Sequence, residues 1–599
     1  MGDNYRRLTM GGEKAIGIDL GTSTCCIAVW QHNRVDVIPN PMGGRLTPSV
    51  VRFSNTGKSV GLKAKLEEDN GAGSSSDDGA DATYVYEIKR IMGKEFGSRD
   101  AQEDIRAWSF PVVGRSKGQP MVHVAKLKGR RQPVQFSPEE ISAMLLKHAK
   151  KLAEAYLDCE VRKAVITVPA YFTDAQKEAT RNAGRLARLE VVRLLSEPTA
   201  GALAYVENNM LSIRELQRGE AQRSPTVMVF DLGGGTLDVS IVEISEDSIV
   251  VKALDGDTHL GGANFDKNLV NYVVTEFAEK NRLLEEIVRA DKRRMKELRK
   301  KCIEAKETLS MVGVHEYVLL LPDFYERLTL KEHISTTTFN RINQPLFDRC
   351  MIKVKRVLES ANLRKEDILK VLLVGGSTRI PFVSEMMKDF FNGRAPQKLC
   401  NPDEAVGHGA AILAAKLMGE RGTRLDHLTL REITPRSLGV DLHSGEMRIV
   451  IPRHSALPAS GTCTLATSRD NQTCMRFPVY EGEARMNRDN HYLGEFTLKG
   501  FLRASRGEAS AIVTLHVNED CLVTATAKAL TLNSIDGRES QITITADKGG
   551  LTDEDIKEML LNEIVCVEDD EDNIKDEEAY EEDAENYYVD EPYTDDEAW

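Results

Sequence analysis

Val229-Phe230-Asp231-Leu232-Gly233-Gly234-Gly235-Thr236-Leu237-Asp238-Val239-Ser240 reads as a strand, a tight turn and a second strand. Apolar residues lead in, and Val239, Ile241 and Ile244 alternate with polar neighbours on the way out. Three consecutive glycines leave backbone N–H groups bare, so an anion can approach closely. Asp231 and Asp238 cannot take a phosphate themselves, but carboxylates there can hold a divalent cation or its waters. Thr236 adds a hydroxyl. Taken alone, the segment also admits, as the less favoured reading, a glycine-rich hairpin whose acidic flanks are accidental.

A second segment of the same design shifts that balance. Ile16-Gly17-Ile18-Asp19-Leu20-Gly21-Thr22-Ser23-Thr24 leads into the strand Cys26-Ile27-Ala28-Val29, and Asp19 and Asp231 lie 212 positions apart (231 − 19). Two such hairpins imply a duplicated domain whose halves face each other across a cleft. A third segment, Val371-Leu372-Leu373-Val374-Gly375-Gly376-Ser377-Thr378-Arg379, is an apolar strand ending in two glycines. Glycine turns at three strand ends describe a nucleotide site made by both halves. The chain has neither Gly-x4-Gly-Lys-Ser/Thr nor a strand-linked Gly-x-Gly-x-x-Gly, which excludes the two commonest phosphate loops.

With these motifs in order, the chain resembles the seventy-kilodalton heat-shock chaperones of the DnaK type, from about Ala15 to about Met559. The series that carries the resemblance is Asp19-Leu-Gly-Thr22, Val168-Pro-Ala-Tyr-Phe172, Glu197-Pro-Thr-Ala200, Asp257-Thr-His-Leu-Gly-Gly262, Gly375-Gly-Ser-Thr-Arg-Ile-Pro381 and Asn401-Pro-Asp-Glu-Ala405. The resemblance implies an α/β nucleotide-binding domain of two lobes, with the actin and sugar-kinase fold. An all-β sandwich and an acidic tail follow it.

The chain of 599 residues has room for several domains, and its net charge of −14 is unevenly placed. Residues 568–599 hold 17 Asp or Glu against one Lys, a charge of −16, so the body is about +2. Acidity is therefore a property of the tail, and no basic tract points to nucleic acid. The ten cysteines show no C-x-x-C or metal spacing. Adjacent Cys25 and Cys26 in a strand face opposite sides and cannot pair easily, so reduced thiols and a cytoplasmic location, with the nucleus also open, are expected. Met1 to Glu13 has no apolar core of a signal peptide, and no run of 18 apolar residues suggests a membrane span.

Composition and capping signals divide the chain. A flexible terminus, 1–14, precedes a nucleotide domain over 15–425 that carries a flexible polar insertion at 67–83. Ser137-Pro138-Glu139-Glu140 and Thr173-Asp-Ala-Gln176 are capping boxes that open helices, the second running through Leu186. Asn401 and Pro402 are expected as N-cap and first residue of the last helix of this domain. His148 lies on an apolar helix face, as a core or boundary residue rather than a ligand. A linker at 426–433 leads to short strands over 434–552, where Asn518-Glu-Asp520 turns a hairpin. A short helix at 553–566 and a disordered tail at 567–599 complete the chain.

Residue by residue, the resemblance implies ATP or ADP, Mg²⁺ and a companion K⁺. Gly21, Thr22 and Ser23 match the first phosphate loop, and Gly233, Gly234, Gly235 and Thr236 the second. Gly261 and Gly262 match a further turn of the same site. Asp19 and Asp231 match the carboxylates that hold magnesium through water, with Asp238 in the same cluster. Lys89 matches the lysine that stabilises the terminal phosphate, and Glu197 the residue that orders water and metal. Lys306 and Ser310 match the adenosine side, facing Gly375, Gly376, Ser377, Arg379 and Asp403. Three positions depart: Ile303 stands where the family has an acid for the ribose, Glu307 where it often has Arg, and Ala263 where it usually has Glu. Losing one charge-assisted hydrogen bond costs roughly 1.5–3 kcal/mol, so nucleotide binding weaker than usual is expected.

The coupling elements are altered as well. The apolar linker of the family reads Leu428-Thr429-Leu430-Arg431-Glu432 here, and Arg431 in a groove built for Leu is costly unless paired. Arg193 keeps the position that meets J-domain co-chaperones, while Pro169 and Lys177 hold relay positions. The peptide-site positions are Val440, His443, Leu465, Ser468, Met475, Phe477 and Phe501; the same residues are also compatible with plain sandwich core. Pro478 inside its strand argues for an edge or a bulge. Only about one helix follows the sandwich in the sequence, so the helical lid of the family is expected to be missing. The resulting expectation is a monomeric, slow ATPase that transiently binds unfolded or extended polypeptides, served by J-domain proteins and nucleotide-exchange factors. Two other readings remain: a non-catalytic co-chaperone or exchange partner, and a small-molecule kinase of the same superfold, which the sandwich opposes.

Overall fold

The computed structural model describes residues 14–71, 82–115, 118–218, 224–245, 247–398, 401–420, 428–530, 540–542 and 551–564. The first lobe begins with the hairpin β1 (Ala15–Leu20) and β2 (Thr24–Gln31), extended by β3 (Arg34–Val37). Helix α1 (Leu62–Gly71) and strand β4 (Thr83–Tyr86) follow, then α2 (Pro138–Leu157), β5 (Lys163–Val168), α3 (Asp174–Leu186), β6 (Glu190–Ser196) and α4 (Glu197–Arg218). Both expected capping boxes are formed, by Ser137 with Glu140 and by Thr173 with Gln176. They fix where α2 and α3 start, because side chains satisfy N–H groups the helix leaves open.

The second lobe repeats the plan with β7 (Thr226–Leu232), β8 (Leu237–Ile244) and β9 (Ser248–Asp257). Helix α5 (Lys292–Leu309), β10 (Lys370–Val374) and β11 (Gln397–Lys398) complete it, and α6 (Ala405–Leu417) returns to pack on β1 and β2 of the first lobe. The sheets run β6-β5-β1-β2-β3 and β11-β10-β7-β8-β9-β12, where β12 (Thr429–Arg431) is the linker. In each lobe the hairpin is antiparallel and the next strand inward is parallel: β1 with β5, β7 with β10. Residues from both lobes, among them Val165, Val229, Val374 and Ala410, join in one core between the sheets.

The sandwich packs the sheet β14-β13-β16-β17 (Met447–Ile451, Leu438–Asp441, Cys474–Glu481, His491–Lys499) on β15-β18-β19-β20 (Ala459–Ala466, Ser510–Val517, Val523–Ala529, Ser540–Ile542). Pro478 sits where β16 has only β17 as partner, one residue beyond Val440↔Val479 and beside a register shift, as its missing N–H requires. Helix α7 (Asp553–Ile564) does not lie over the sandwich. Ile556 is buried in the core of the first lobe, Leu551, Met559 and Leu560 pack there, and Asp553 pairs with Arg185 of α3 at 2.7 Å.

Three expectations are corrected. Glu67 to Gly71, assigned to the flexible insertion, form the end of α1; residues 72–81 lie outside the described residues. The last domain helix starts at Ala405 rather than at Pro402. Asn401 instead leads a turn, accepting at its carbonyl from the N–H groups of Glu404 and Ala405 at 3.1 Å each. Arg431 does not enter a groove: β12 alternates exposed, half-buried, exposed, so Thr429 and Arg431 face solvent while Leu428 and Leu430 pack inward. The expected disordered tail lies outside the described residues.

Candidate nucleotide site

The two glycine turns meet. A Cβ on Gly234 would stand 2.3 Å from the Ser23 hydroxyl, and one on Gly235 2.5 Å from that of Thr22. One on Gly261 would meet Gly235 backbone at 2.6 Å, and one on Gly375, at φ +83°, would strike the Asp231 carboxylate at 2.5 Å. Any side chain at these positions would force the lobes or the turn apart. The residues quoted from three distant segments thus enclose one crevice between lobes.

The acids of that crevice are buried together. Asp231 and Asp238 are cross-strand partners in the second hairpin, and both are almost fully buried. Burial pushes the Asp19 carboxyl up to about 7, with Glu197 adding to the rise and Lys89 opposing it. Asp231 is held well above its ordinary value, first by burial and then by the charges of Glu197, Asp238 and Asp19. Asp238 is raised likewise, and its Oδ1 has no hydrogen-bond partner in the structure. Uncompensated carboxylates crowded in a buried crevice are what a divalent cation relieves. Among the described residues no three His, Cys, Asp or Glu side chains converge as direct ligands of an ion.

Among the described residues, Lys89 is the cation placed within this cluster. It rides on a 3₁₀ turn, Ile88–Arg90, that follows β4 and is set off by Glu87 in the left-handed conformation, φ 54°. Its Nζ donates to Glu197 Oε1 at 2.7 Å and lies 5.6 Å from the centre of the Phe172 ring. Glu197 is the first residue of α4, directly after β6. Thr167 was not singled out from sequence, yet its hydroxyl donates to Asp19 Oδ1 at 3.0 Å. The available signal was a lone hydroxyl in the otherwise apolar run Val165-Ile166-Thr167-Val168.

On the adenosine side, Lys306 Nζ pairs with Asp266 at 2.9 Å, and Ser377 Oγ donates to the Gly233 carbonyl at 2.8 Å. A Cβ on Gly262 would touch Ser377 Oγ at 2.7 Å and Lys306 Nζ at 3.4 Å, so these residues line one wall. The hydroxyl of Ser310 turns back to the Lys306 carbonyl at 2.7 Å. Arg379 is clamped by Asp403 at 2.6 Å and by Asn401 at 2.9 Å. Ile303 lies one turn from both Lys306 and Glu307 along α5, three and four residues before them.

The peptide-site positions divide by burial. Val440, Met475, Phe477 and Phe501 are 0–5% exposed within the sandwich core, and Leu465 packs against them. Ser468 is half-buried and His443 exposed. Between the domains, Glu432 accepts from Ser196 Oγ at 2.7 Å and Thr199 Oγ1 at 3.0 Å. Arg193 pairs with Glu519, Arg181 with Asp520 at 2.7 Å, and Pro169 and Lys177 line the same small cavity as Glu432 and Cys521.

A cleft of two duplicated lobes, glycine turns and buried acids, followed by a docked β-sandwich, defines an actin-like ATPase with an appended binding domain. Comparison with known proteins agrees: the family description "Hsp70 protein" matches residues 15–597. "Heat shock cognate 70 kDa protein 3" of Dictyostelium discoideum is 38% identical over 547 residues, covering 91% of this chain and 82% of that protein. "Heat shock 70 kDa protein" of Neurospora crassa is 38% identical over 558 residues, 93% and 81% of the two chains. The same name in Emericella nidulans stands at 38% over 549 residues, 92% and 80%. The chain belongs to the Hsp70 family, and it is an ATP-dependent chaperone of that type, an ATPase that uses ATP/ADP with Mg²⁺ and binds unfolded polypeptide. Among the described residues no helix is long and apolar enough to cross a membrane.

Proposed function

We propose that ATP is hydrolysed slowly at the Lys89–Glu197 pair and that the reaction governs transient binding of extended polypeptide by the sandwich. The observation that carries this is the 2.7 Å Lys89–Glu197 bond inside a buried group of four carboxylates, Asp19, Glu197, Asp231 and Asp238. Asp19 and Asp231 would hold Mg²⁺ through its waters, relieving their mutual repulsion. The Gly21–Ser23 and Gly233–Thr236 turns would cradle the phosphates with their N–H groups. ATP supplies the bond to be cleaved, and Mg²⁺ supplies charge neutralisation. Lys89 brings positive charge to the carboxylate cluster, and Glu197 fixes its position. K⁺ beside the same carboxylates is part of this reading.

The linker in β12 and the bonds of Glu432 tie the cleft to the sandwich. Val440, Leu465, Ser468, Met475, Phe477 and Phe501 form the client site in this proposal, with Met475 as a flexible filler that must move aside. We assign J-domain proteins and exchange factors as partners of a cytoplasmic monomer. Arg193, now paired with the sandwich, becomes available to such a partner when the sandwich leaves. Single-turnover hydrolysis tests the assignment: Lys89→Ala should be at least 100-fold slower than the parent, the size of effect seen when one transition-state donor is removed. An unchanged rate would refute it.

A further inference from the structure

The two ends of the sandwich carry opposite charge. At one end the turn 518–521 meets the nucleotide domain, with Glu519 paired to Arg193 and Asp520 to Arg181. The eight residues of β18, about 27 Å of strand, lead to the other end. There two loops, 467–473 and 500–509, are laced together by their backbones. Thr467 N–H donates to the Ala509 carbonyl at 2.9 Å, Asn471 N–H to that of Ala504 at 2.8 Å, and Gly507 N–H to that of Thr467 at 3.0 Å. The lacing gathers Arg469, Lys499, Arg503 and Arg506 at this end. All four are exposed, and among the described residues none of their side chains makes an ion pair or a hydrogen bond. The two acids of these loops are taken up locally: Asp470 Oδ1 accepts from the Arg506 N–H at 2.8 Å, and Glu508 Oε2 from the Ser505 N–H at 3.0 Å. Leu502 and Leu530 stand 40% and 49% exposed at the same end, where the Leu530 N–H bonds the Ser510 carbonyl.

Four unpaired cations with two exposed leucines beside them make a seat for an acidic chain that also carries aromatic residues. This protein supplies one. Residues 568–599 hold 17 Asp or Glu against one Lys, with Tyr580, Tyr587, Tyr588 and Tyr593 spaced among them. Helix α7 ends at Ile564, and 35 residues follow it (599 − 564). As a coil that length spans roughly 30–35 Å, and fully extended about 115 Å, so it covers the sandwich from end to end. We propose that segment 568–599 docks on the end of the sandwich formed by Arg469, Lys499, Arg503 and Arg506. Its carboxylates meet the cations, and its tyrosine rings meet the leucines and the guanidinium planes. The contact involves the sandwich and the acidic segment alone, so it stands apart from the nucleotide cleft. Ser468 and Phe501 of the proposed client site lie in these same two loops, so a client there shares this end of the sandwich with the acidic segment.

A fluorescein-labelled synthetic peptide of residues 568–599 tests the seat by fluorescence anisotropy. Two full-length proteins are compared: the parent, and a neutral-tail variant whose acids in 568–599 are replaced by Asn and Gln. In the parent the tethered segment already fills the seat at an effective concentration in the millimolar range. The labelled peptide should therefore bind the parent at least tenfold more weakly than the neutral-tail variant. Adding Arg469→Glu and Arg503→Glu to that variant should weaken binding at least tenfold, and so should raising NaCl from about 50 to about 500 mM. Equal affinity for the parent and the neutral-tail variant, or binding to neither, would overturn the proposal. Binding that survives the two substitutions would place the acidic segment elsewhere and overturn it too. Hydrogen exchange gives a second readout that needs no substitution in the sandwich. Amides of 467–473 and 500–509 should be better protected in the parent than in the neutral-tail variant, and equal protection would refute docking.

Discussion

Asp19 and Asp231 occupy equal places in two hairpins of one design, yet the residues opposite them differ. Cys26 faces Asp19 across β1 and β2, whereas Asp238 faces Asp231 across β7 and β8. Like charges directly opposite on neighbouring strands repel, and a thiol opposite a carboxylate does not. Burial first, and Glu197 next, raise all three acids, Asp19 to about 7 and Asp231 and Asp238 well above their ordinary values, and Asp238 adds to the rise of Asp231. Duplication has preserved the backbone and loaded the charge onto one side. The second hairpin carries two carboxylates of the cluster, Asp231 and Asp238, and the first carries one, Asp19.

The widest gap between the hairpins should appear in metal-free protein. Asp231→Asn removes a buried charge with a like charge opposite, and we expect it to raise unfolding stability in EDTA by about 1–3 kcal/mol at pH 7.5. Asp19→Asn, with Cys26 opposite and Thr167 donating to it, should gain about half as much. Urea titration reads both, and equal gains would erase the asymmetry. The pH dependence follows from the raised carboxyls. Between roughly pH 4 and 7 the folded chain keeps protons that the unfolded chain has released. Their contribution is complete below the unfolded value and is lost as pH rises through about 7, the value Asp19 reaches. Metal-free protein should thus be more stable at pH 6 than at pH 8, and Mg·ADP should flatten the difference.

The outer edges of the two sheets differ as well. In the first sheet β3 is the last strand, while in the second β9 receives the linker as a parallel partner, Ser248↔Thr429 to Val250↔Arg431. Glu432 follows at once and is buried on two hydroxyls, its carboxyl raised by burial. The sheet of the second lobe thus takes up the linker strand, while Arg181 and Arg193 of the first lobe pair with the sandwich. Glu432→Ala should weaken docking by about 1.5–3 kcal/mol, the range for hydrogen bonds to a charged group, or at least tenfold in the docked fraction. Small-angle scattering would show the larger radius. A variant as compact as the parent would assign docking to the Arg193 and Arg181 pairs instead.

Much of the nucleotide domain was legible because its signals are local. Asp-Leu-Gly turns, the capping boxes at Ser137 and Thr173, and the apolar strands each announce themselves within a dozen residues. Thr167 was missed because its role depends on which strand lies beside β1, a pairing no local window contains. The start of α6 was misplaced for a related reason. Asn401 and Pro402 carry the sequence of a helix start, but Asn401 is engaged by Arg379 and by the Glu404 side chain at 2.5 Å, and the helix begins only after that turn. The sandwich was legible as a fold and not as a site. Alternation places Val440, Met475 and Phe477 on an inner face, and an inner face reads the same whether it lines a groove or fills a core.

The smallest expected effect concerns Arg431, and it separates two accounts of the altered linker. If the linker lay in an apolar groove on both faces, replacing Leu by Arg would bury a charge and cost several kcal/mol. In β12 a strand pairs at a sheet edge, so only every second residue faces the core. Leu428, 5% exposed, and Leu430 take the inward places, and Thr429 and Arg431 the outward ones. The polar substitutions thus fall on solvent-facing positions, where Arg also discourages further strand pairing at an open edge. Arg431→Leu should change docking by less than about 0.5 kcal/mol, as surface replacements do. Leu430→Arg, one residue away, should undock the linker. If the scattering profile responded to Arg431→Leu as strongly as to Glu432→Ala, the outward face of β12 would have to be covered in solution, and the contrast between the two sheet edges would fall with it.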